Sequence, residues 1–431
     1  MIGKNRRKRT WFAAAVLAAG SLVATSLPAH AETGVSASEI KLGTTLPLTG
    51  AASPGYNKIG DAMNAYFQYV NDNGGVYGRK ITLIQKNDEY SPQLAIAKTN
   101  ELILKDKVFA LVGALGTANH KAVAQSVGLA RRGIPDLFIN TGFSGFANKR
   151  TYGTTFTILP SYIMEAKIMA QFIKDNYAGK RLGLVYQNDD FGTDALKGFA
   201  QAGLKFDVTV PYTSGTQSST TAQTWVSQLA AGRAEVVVMF GVTSATGALL
   251  GVAAAARYAP QWILGSVGAD PNTLRAIGVP LAILNGAQTL SPTPSPTDTT
   301  DEYVKLFREV NEKYNKNVAF DDYVLAGMNS AMLTVQALRA AGKNLTRRGL
   351  IRALETKAST FASAAYVPLN YSRTSNVGYN GFWFGQLDAA GNRRPVGGSL
   401  VVYTTDSGNG AVVKSNFKRP AMPAKGLPTN S

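Results

Sequence analysis

The chain has 431 residues, of which 45% are hydrophobic and only 16% charged. That balance supports sizeable buried cores in two or three domains and argues against disorder over most of the length. The formal net charge is +17, cysteine is absent, and the two histidines are His30 and His120, which excludes a disulfide scaffold, thiol catalysis, thiolate zinc clusters and a cysteine lipid anchor, and leaves little room for histidine chemistry.

At the start of the chain, Lys4, Arg6, Arg7, Lys8 and Arg9 stand without an acid before a mostly apolar run over 11–27, followed by Ala29-His30-Ala31. A basic region, an apolar region and a small-x-small site read as a secretory signal peptide over 1–31, cleaved after Ala31. A transmembrane anchor is the alternative, but Gly20, Ser21, Thr25 and Ser26 interrupt a run that is already short for a span. The arginine pair lacks a twin-arginine context, so the general secretory route is expected. Cleavage leaves 400 residues and takes the net charge from +17 to +12. No later apolar stretch is long enough to span a bilayer, so a soluble periplasmic product without stable membrane insertion is expected. A diffuse basic surface can gather anionic solutes. No basic stripe with interleaved aromatics is present, and nucleic acid is not an expected partner.

The mature part alternates short apolar runs with amphipathic ones. Strands are expected over 40–46, 80–87, 108–112 and 136–140, with helices over 59–72, 92–105 and 119–132 between them. A second array places helices over 162–176, 193–203, 222–231 and 244–257 among strands over 181–187, 205–211, 235–240 and 261–265. Repeated βα alternation predicts parallel sheets covered by helices on both faces, and two such arrays imply two α/β lobes. A Pro/Ser/Thr-rich loop over 290–301 precedes helices over 299–315, 322–341 and 347–357, the last capped by Thr346. Strand-like runs follow over 365–371, 381–387 and 399–404, and the polar tail over 406–431 is expected to be flexible.

Enzyme signatures are missing: there is no Gly-x-Gly-x-x-Gly after a strand, no Walker loop, no His-Glu-x-x-His and no Gly-x-Ser-x-Gly. Thr141-Gly-Phe-Ser144-Gly is only superficially like a nucleophile turn. His120 has no triad around it and reads as a solvated or helix-capping residue. Asp189 and Asp190 are adjacent in a turn, where side chains diverge, and read as loop or cap residues. The strand ends are more informative. Strand 108–112 runs into Gly113-Ala-Leu-Gly116-Thr117-Ala-Asn119, where glycines allow a sharp turn and a helix start exposes N–H groups suited to an anion. An ordinary βα turn capped by Thr117 or Asn119 is the plainer reading. The next strand ends in Thr141-Gly142-Phe143-Ser144, and neighbouring parallel strands deliver such turns to one edge. In the second array, Tyr186-Gln-Asn-Asp189-Asp190-Phe191-Gly192 holds the equivalent position.

Taken together, Leu48-Thr49-Gly50, the run Asn71-Asp-Asn-Gly74-Gly75-Val-Tyr-Gly78-Arg79, Gly113-Ala-Leu-Gly-Thr117 and Leu184-Val-Tyr-Gln-Asn-Asp-Asp-Phe191-Gly192 resemble the periplasmic leucine/isoleucine/valine-binding proteins. The resemblance runs in order from about Ser38 to Gly397. It implies a type I periplasmic-binding fold, two doubly wound parallel-sheet lobes joined by three crossovers that close on a ligand and present it to a membrane ABC permease. Lobe one would be 38–157 plus 289–365 and lobe two 158–288 plus 366–405, with crossovers near Leu159, Leu290 and Tyr366. By the same resemblance, Thr117 holds the ligand carboxylate with its hydroxyl and amide in the turn after Gly116, Ser144 adds a donor, and Gly142 offers a carbonyl to an ammonium. Phe191 stands where the family places a ligand-covering tyrosine, and Tyr56 near another aromatic position.

Departures from the family pattern bear on the ligand. Its acidic residue for the amino group aligns with Val267, and a second tyrosine with Val242. Either Asp190 or Asp270 substitutes, or the ligand lacks an α-ammonium, since an unpaired ammonium in a closed cleft is costly. The expected function is thus a monomeric, non-enzymatic periplasmic substrate-binding component of an ABC importer, taking a branched-chain amino acid or a related small carboxylate without cofactor or metal. The alternatives are a binder of aromatic or aliphatic acids, a periplasmic sensor subunit and, from another class, a secreted hydrolase.

Overall fold

Residues 1–2, 32–316, 318–406 and 408–429 are described in the computed structural model; the expected signal peptide lies, beyond Ile2, outside them. Fourteen strands are found among the described residues: β1 Glu39–Leu46, β2 Lys80–Asn87, β3 Ala110–Val112, β4 Asp136–Ile139, β5 Thr155–Thr157, β6 Leu182–Gln187, β7 Val208–Tyr212, β8 Val236–Phe240, β9 Gln261–Leu264, β10 Gln288–Ser291, β11 Phe382–Leu387, β12 Arg393–Pro395, β13 Val402–Thr404 and β14 Val413–Lys414. The first sheet has the order β2-β1-β3-β4-β5 and is parallel throughout. The second has a parallel core β7-β6-β8-β9-β10, extended by antiparallel β11, β13 and β14, with β12 paired to β11.

Local chemistry sets the helix starts. Ser91 caps Pro92–Leu104, whose proline occupies a position where no N–H is needed, and Thr346 caps Arg347–Lys357 by accepting from Gly349 N at 3.0 Å. The helix Asp322–Ala340 is almost entirely buried and packs against Ile59–Asp72, and Tyr66, Phe67, Val324, Met328 and Met332 belong to the core around them. Burial of this order contributes roughly 1.5–3 kcal/mol per large apolar side chain.

Three sequence expectations are corrected. The run 365–371 forms no strand; Val367, Leu369 and Tyr371 are buried, with Tyr371 against Phe138 and Phe156 beside the first sheet. Residues 376–379 hydrogen-bond to Thr157 and Ile158, so the chain joins the second sheet at Phe382 rather than near Tyr366. The crossing expected near Leu290 follows Ser291, the last residue of β10. The tail is docked rather than loose: β14 pairs with β13, Arg419 Nη2 donates to Asp301 Oδ2 at 2.6 Å, and the Tyr66 hydroxyl donates to the Gly426 carbonyl.

Candidate functional site

Both sheets reverse strand order once within their parallel parts, between β1 and β3 and between β6 and β8. In open α/β sheets the ligand crevice lies at the carboxyl ends of the strands at such a point. The first reversal carries Tyr56 and the turn Gly113–Thr117; the second carries Asp189–Phe191 and Val242. Contacts between residues from the two edges are direct. The Tyr56 hydroxyl donates to the Val267 carbonyl at 2.8 Å, Ser144 N donates to Asp194 Oδ2 at 2.6 Å, and Lys121 Nζ donates to Asp190 Oδ2 at 2.6 Å.

The turn residues are placed by backbone need. Gly116 has φ 111°, and a Cβ there would meet Tyr90 Cε2 at 2.9 Å. It opens the helix Thr117–Val123, and the buried Thr117 hydroxyl shares a hydrogen bond of 2.7 Å with Thr141. Gly142 lies so close to Pro160 that a Cβ would stand 2.2 Å from its carbonyl oxygen. The Gly142 carbonyl, expected to face an ammonium, accepts from Tyr162 N at 2.8 Å. Phe191 is buried in an aromatic group with Tyr162 and Phe240, at centroid distances of 4.6 and 4.9 Å. Val242 is also buried, and its N–H donates to the Tyr212 hydroxyl at 3.1 Å. The Val267 side chain is half-buried, while its carbonyl accepts from Tyr56 and from Tyr323.

A cavity of about 100 Å³ lies on the side of the crossovers. Tyr56, Leu115, Ile158, Leu159, Val267 and Leu290 give it a largely apolar wall, and Asn140, Asp270, Asp322 and Arg393 add polar groups. Of the eight residues singled out from the sequence, Tyr56 and Val267 line it; Thr117 and Gly142 follow closely after Leu115 and Asn140 in the chain. Asp270 does reach the cavity, its carboxylate accepting from Thr273 N at 2.6 Å and Asp322 N at 3.1 Å. Asp190 instead pairs with Lys121.

Burial dominates the electrostatics. Tyr56 is pushed up to about 12 by desolvation. Glu165, fully buried behind the cavity residue Ser266, is pushed up to about 7 by desolvation although Ser266 donates both N–H and hydroxyl to it. Desolvation also raises Asp321 and Asp322, which pair with Lys58 and Arg393. His120 is neither solvated nor a cap: it is buried with Nδ1 2.9 Å from Asp136 Oδ2. Burial lowers its pKa, but the Asp136 carboxylate, with Asp88 adding to it, outweighs that effect and the net shift is upward.

Tyr90, Tyr162, Glu165, Tyr323 and Arg393 were not found from the sequence. Tyr323 follows the acidic pair Asp321-Asp322 at a helix start, a capping signal that says nothing about a cleft. Arg393 lies in a short strand whose pairing no local pattern reveals.

Two doubly wound sheets, with direct contacts between residues at their strand ends and a small cavity lined from both, define a two-lobed solute-binding protein. The chain belongs to the periplasmic binding protein family, whose model matches residues 39–392. It is 24% identical over 264 residues to Leu/Ile/Val-binding protein homolog 7 of Brucella suis biovar 1 (strain 1330), covering 58% of this chain and 63% of the relative, less than two thirds of that relative's length. Among solved structures it is similar to a fatty acid ABC transporter substrate-binding protein from Thermomonospora curvata, with TM-score 0.74 and 22% identity over 90% of this chain and 97% of that one. It is equally similar in fold to a branched chain amino acid ABC transporter from Thermus thermophilus with bound valine, with TM-score 0.74 and 16% identity over 87% and 98% of the two chains. The mixed α/β architecture is that of type I periplasmic binding proteins. No helix among the described residues is long and apolar enough to cross a membrane.

Proposed function

We propose that this protein is the exported substrate-binding component of an ABC importer, carrying a small carboxylate to a membrane permease without altering it. The supporting observation is the cavity itself: it is lined by residues of both sheets and of the crossovers, and its wall is mostly hydrocarbon with a few polar groups. In the open form the carboxylate docks on the Gly116–Thr117 helix start, with Ser144 adding a donor only where it leaves Asp194, and closure adds the second-sheet wall. Closure requires tighter binding by the closed state, and that difference is what a permease reads. Lobe one comprises the first sheet with the helices over 302–357, and lobe two the second sheet.

The leading ligand is an aliphatic or aromatic acid without an amino group. The resemblance aligns Val242 and Phe191, both buried, with positions where an amino-acid site carries polar groups, and the Gly142 carbonyl is already engaged. Burying apolar ligand surface contributes roughly 25 cal/mol per Å² before the costs of binding. A branched-chain amino acid is the second reading, favoured by Asp270 in the cavity wall. Thermal-shift and calorimetric titration with leucine, 4-methylpentanoate and benzoate separates them. The first reading expects a deaminated acid to bind at least as well as leucine; tight leucine binding with neither acid detectable establishes the second. A ligand at 100 times its Kd raises stability by about 2.7 kcal/mol. Export predicts a mature chain beginning at Glu32 in the periplasmic fraction, which mass spectrometry checks.

A further inference from the structure

We infer that the crossover-side wall of the cavity recognises a neutral polar group at the far end of the ligand, so that the preferred solute is an ω-hydroxy or ω-carboxamide acid rather than a plain hydrocarbon acid. This rests on the carboxylate-carrier reading above, whose anchor Thr117 follows the cavity residue Leu115 by two positions, and concerns the wall on the crossover side. Arg393, from β12, lines that wall together with Asp270 and Asp322. Its guanidinium is fixed: Nη2 donates to Asp322 Oδ1, the carbon stem crosses Gly385 where an added Cβ would come within 2.3 Å of Cγ, and the Trp383 ring centroid lies 5.7 Å from Cζ. The residue is only 6% exposed, and its Nε is buried without a hydrogen-bond partner. A buried, unpaired donor on a charged group is costly to leave unmade, so this N–H calls for an acceptor, and a ligand in the cavity that Arg393 lines is one source of it.

The acceptor's charge follows from its neighbours. Asp322 neutralises Arg393, Asp321 is paired with Lys58, and Asp270 adds a further carboxylate held by two backbone N–H groups. A second carboxylate on the ligand would therefore face a wall with no spare positive charge and with like charges beside it. A hydroxyl or primary carboxamide accepts from Arg393 Nε and donates to the neighbouring carboxylate, so both of its hydrogen-bonding roles are met. The cavity of about 100 Å³ has room for several non-hydrogen atoms, since roughly 10–15 Å³ on the same measure holds one water. That suits the body of a short-chain acid.

Calorimetric titration of the mature protein with pentanoate, 5-hydroxypentanoate, glutaramate and glutarate tests this, using wild type, Arg393→Met and Arg393→Lys. Wild type is expected to bind 5-hydroxypentanoate and glutaramate at least about 10-fold more tightly than pentanoate, with glutarate weaker than both. Arg393→Met is expected to erase the preference and leave pentanoate binding in place. Arg393→Lys keeps a cation for Asp322 but removes Nε, so it should lose the preference even if the methionine variant fails to fold. Equal or tighter binding of pentanoate, tightest binding of glutarate, or a preference that survives in Arg393→Lys overturns the inference while the carrier reading stands. A wild-type protein that binds none of the four overturns the carboxylate reading, and this inference falls with it.

Discussion

The hydroxyl of Tyr56 donates to the carbonyl of Val267 over 2.8 Å, tying the segment after β1 to the segment after β9 across 211 positions of sequence. By the resemblance, Val267 is expected at the family's acidic position; in this structure it is the Val267 backbone that makes the contact. The Tyr56 ring meets Tyr323 edge-on at 4.8 Å, and Tyr323 also donates to Val267 O at 3.2 Å. Tyr56→Phe keeps the ring packing and removes one bond between the two edges. It is expected to leave the melting temperature of the unliganded protein nearly unchanged and to weaken ligand binding by about 0.5–1.5 kcal/mol. Titration calorimetry checks the affinity, and small-angle scattering checks whether the variant is more open.

Thr117 supplies the proposed carboxylate anchor, and its hydroxyl is engaged with Thr141 at 2.7 Å in the described conformation. Both hydroxyls are buried, so exchanging that bond for a ligand carboxylate needs no new solvation. Thr117→Val keeps the shape of the turn set by Gly116 and is expected to weaken acid binding by about 1.5–3 kcal/mol, the range for a hydrogen bond to a charged group. Unchanged affinity removes Thr117 from the site.

Much of this arrangement is legible in the sequence, because strand and helix periods and glycine-rich turns are local properties. The helix expected over 162–176 is found as Tyr162–Asn176, and the turns at Gly116 and Gly142 sit where close backbone approach demands glycine. The failures share a cause: partners distant in sequence. The alternation Val367, Leu369, Tyr371 reads as a strand, but these side chains bury against the first sheet while the backbone passes along it. His120 lies one helical turn from Thr117, yet its partner Asp136 is on another element. Ser144 looks like a free donor until Asp194, 50 residues later, takes its amide. The helix expected over 119–132 is interrupted by Gly128 at φ 70°, which a periodicity count passes over.

Glu165 makes a pH prediction of definite sign. Burial raises it from the ordinary 4.5 to about 7, so between those values the folded chain binds more protons than the unfolded chain. Its contribution to stability is present below about pH 4.5 and is lost as pH rises through about 7. Over that interval the loss is about 3 kcal/mol. Glu165→Gln cannot titrate and still accepts from Ser266 N, with the Ser266 hydroxyl turning to accept from the new amide. Its urea midpoint is expected to match wild type near pH 4.5 and to exceed it at pH 8. Parallel pH profiles for the two proteins reject this account.

Arg419 tests whether the C-terminal segment is part of the folded unit. Its guanidinium donates to Asp301 Oδ2 at 2.6 Å and to the Ala364 carbonyl at 2.9 Å, and it lies 4.6 Å from the Tyr303 ring centroid. Asp301 in turn caps the helix Glu302–Tyr314, accepting from Tyr303 N and Val304 N. The pair is largely withdrawn from water, so removing one partner leaves a carboxylate that still serves the helix but has lost its cation. Arg419→Ala is therefore expected to destabilise the protein by about 2–4 kcal/mol, somewhat below the loss for a fully buried pair. Arg419→Lys should recover only part of this, because an ammonium cannot reproduce the two-directional fork of donors. Truncation after Lys414 removes the same contacts together with the Tyr66–Gly426 bond and should cost at least as much. Differential scanning calorimetry of the three variants reads the outcome. A truncated chain with the wild-type melting temperature would show that the docked segment adds nothing to the fold.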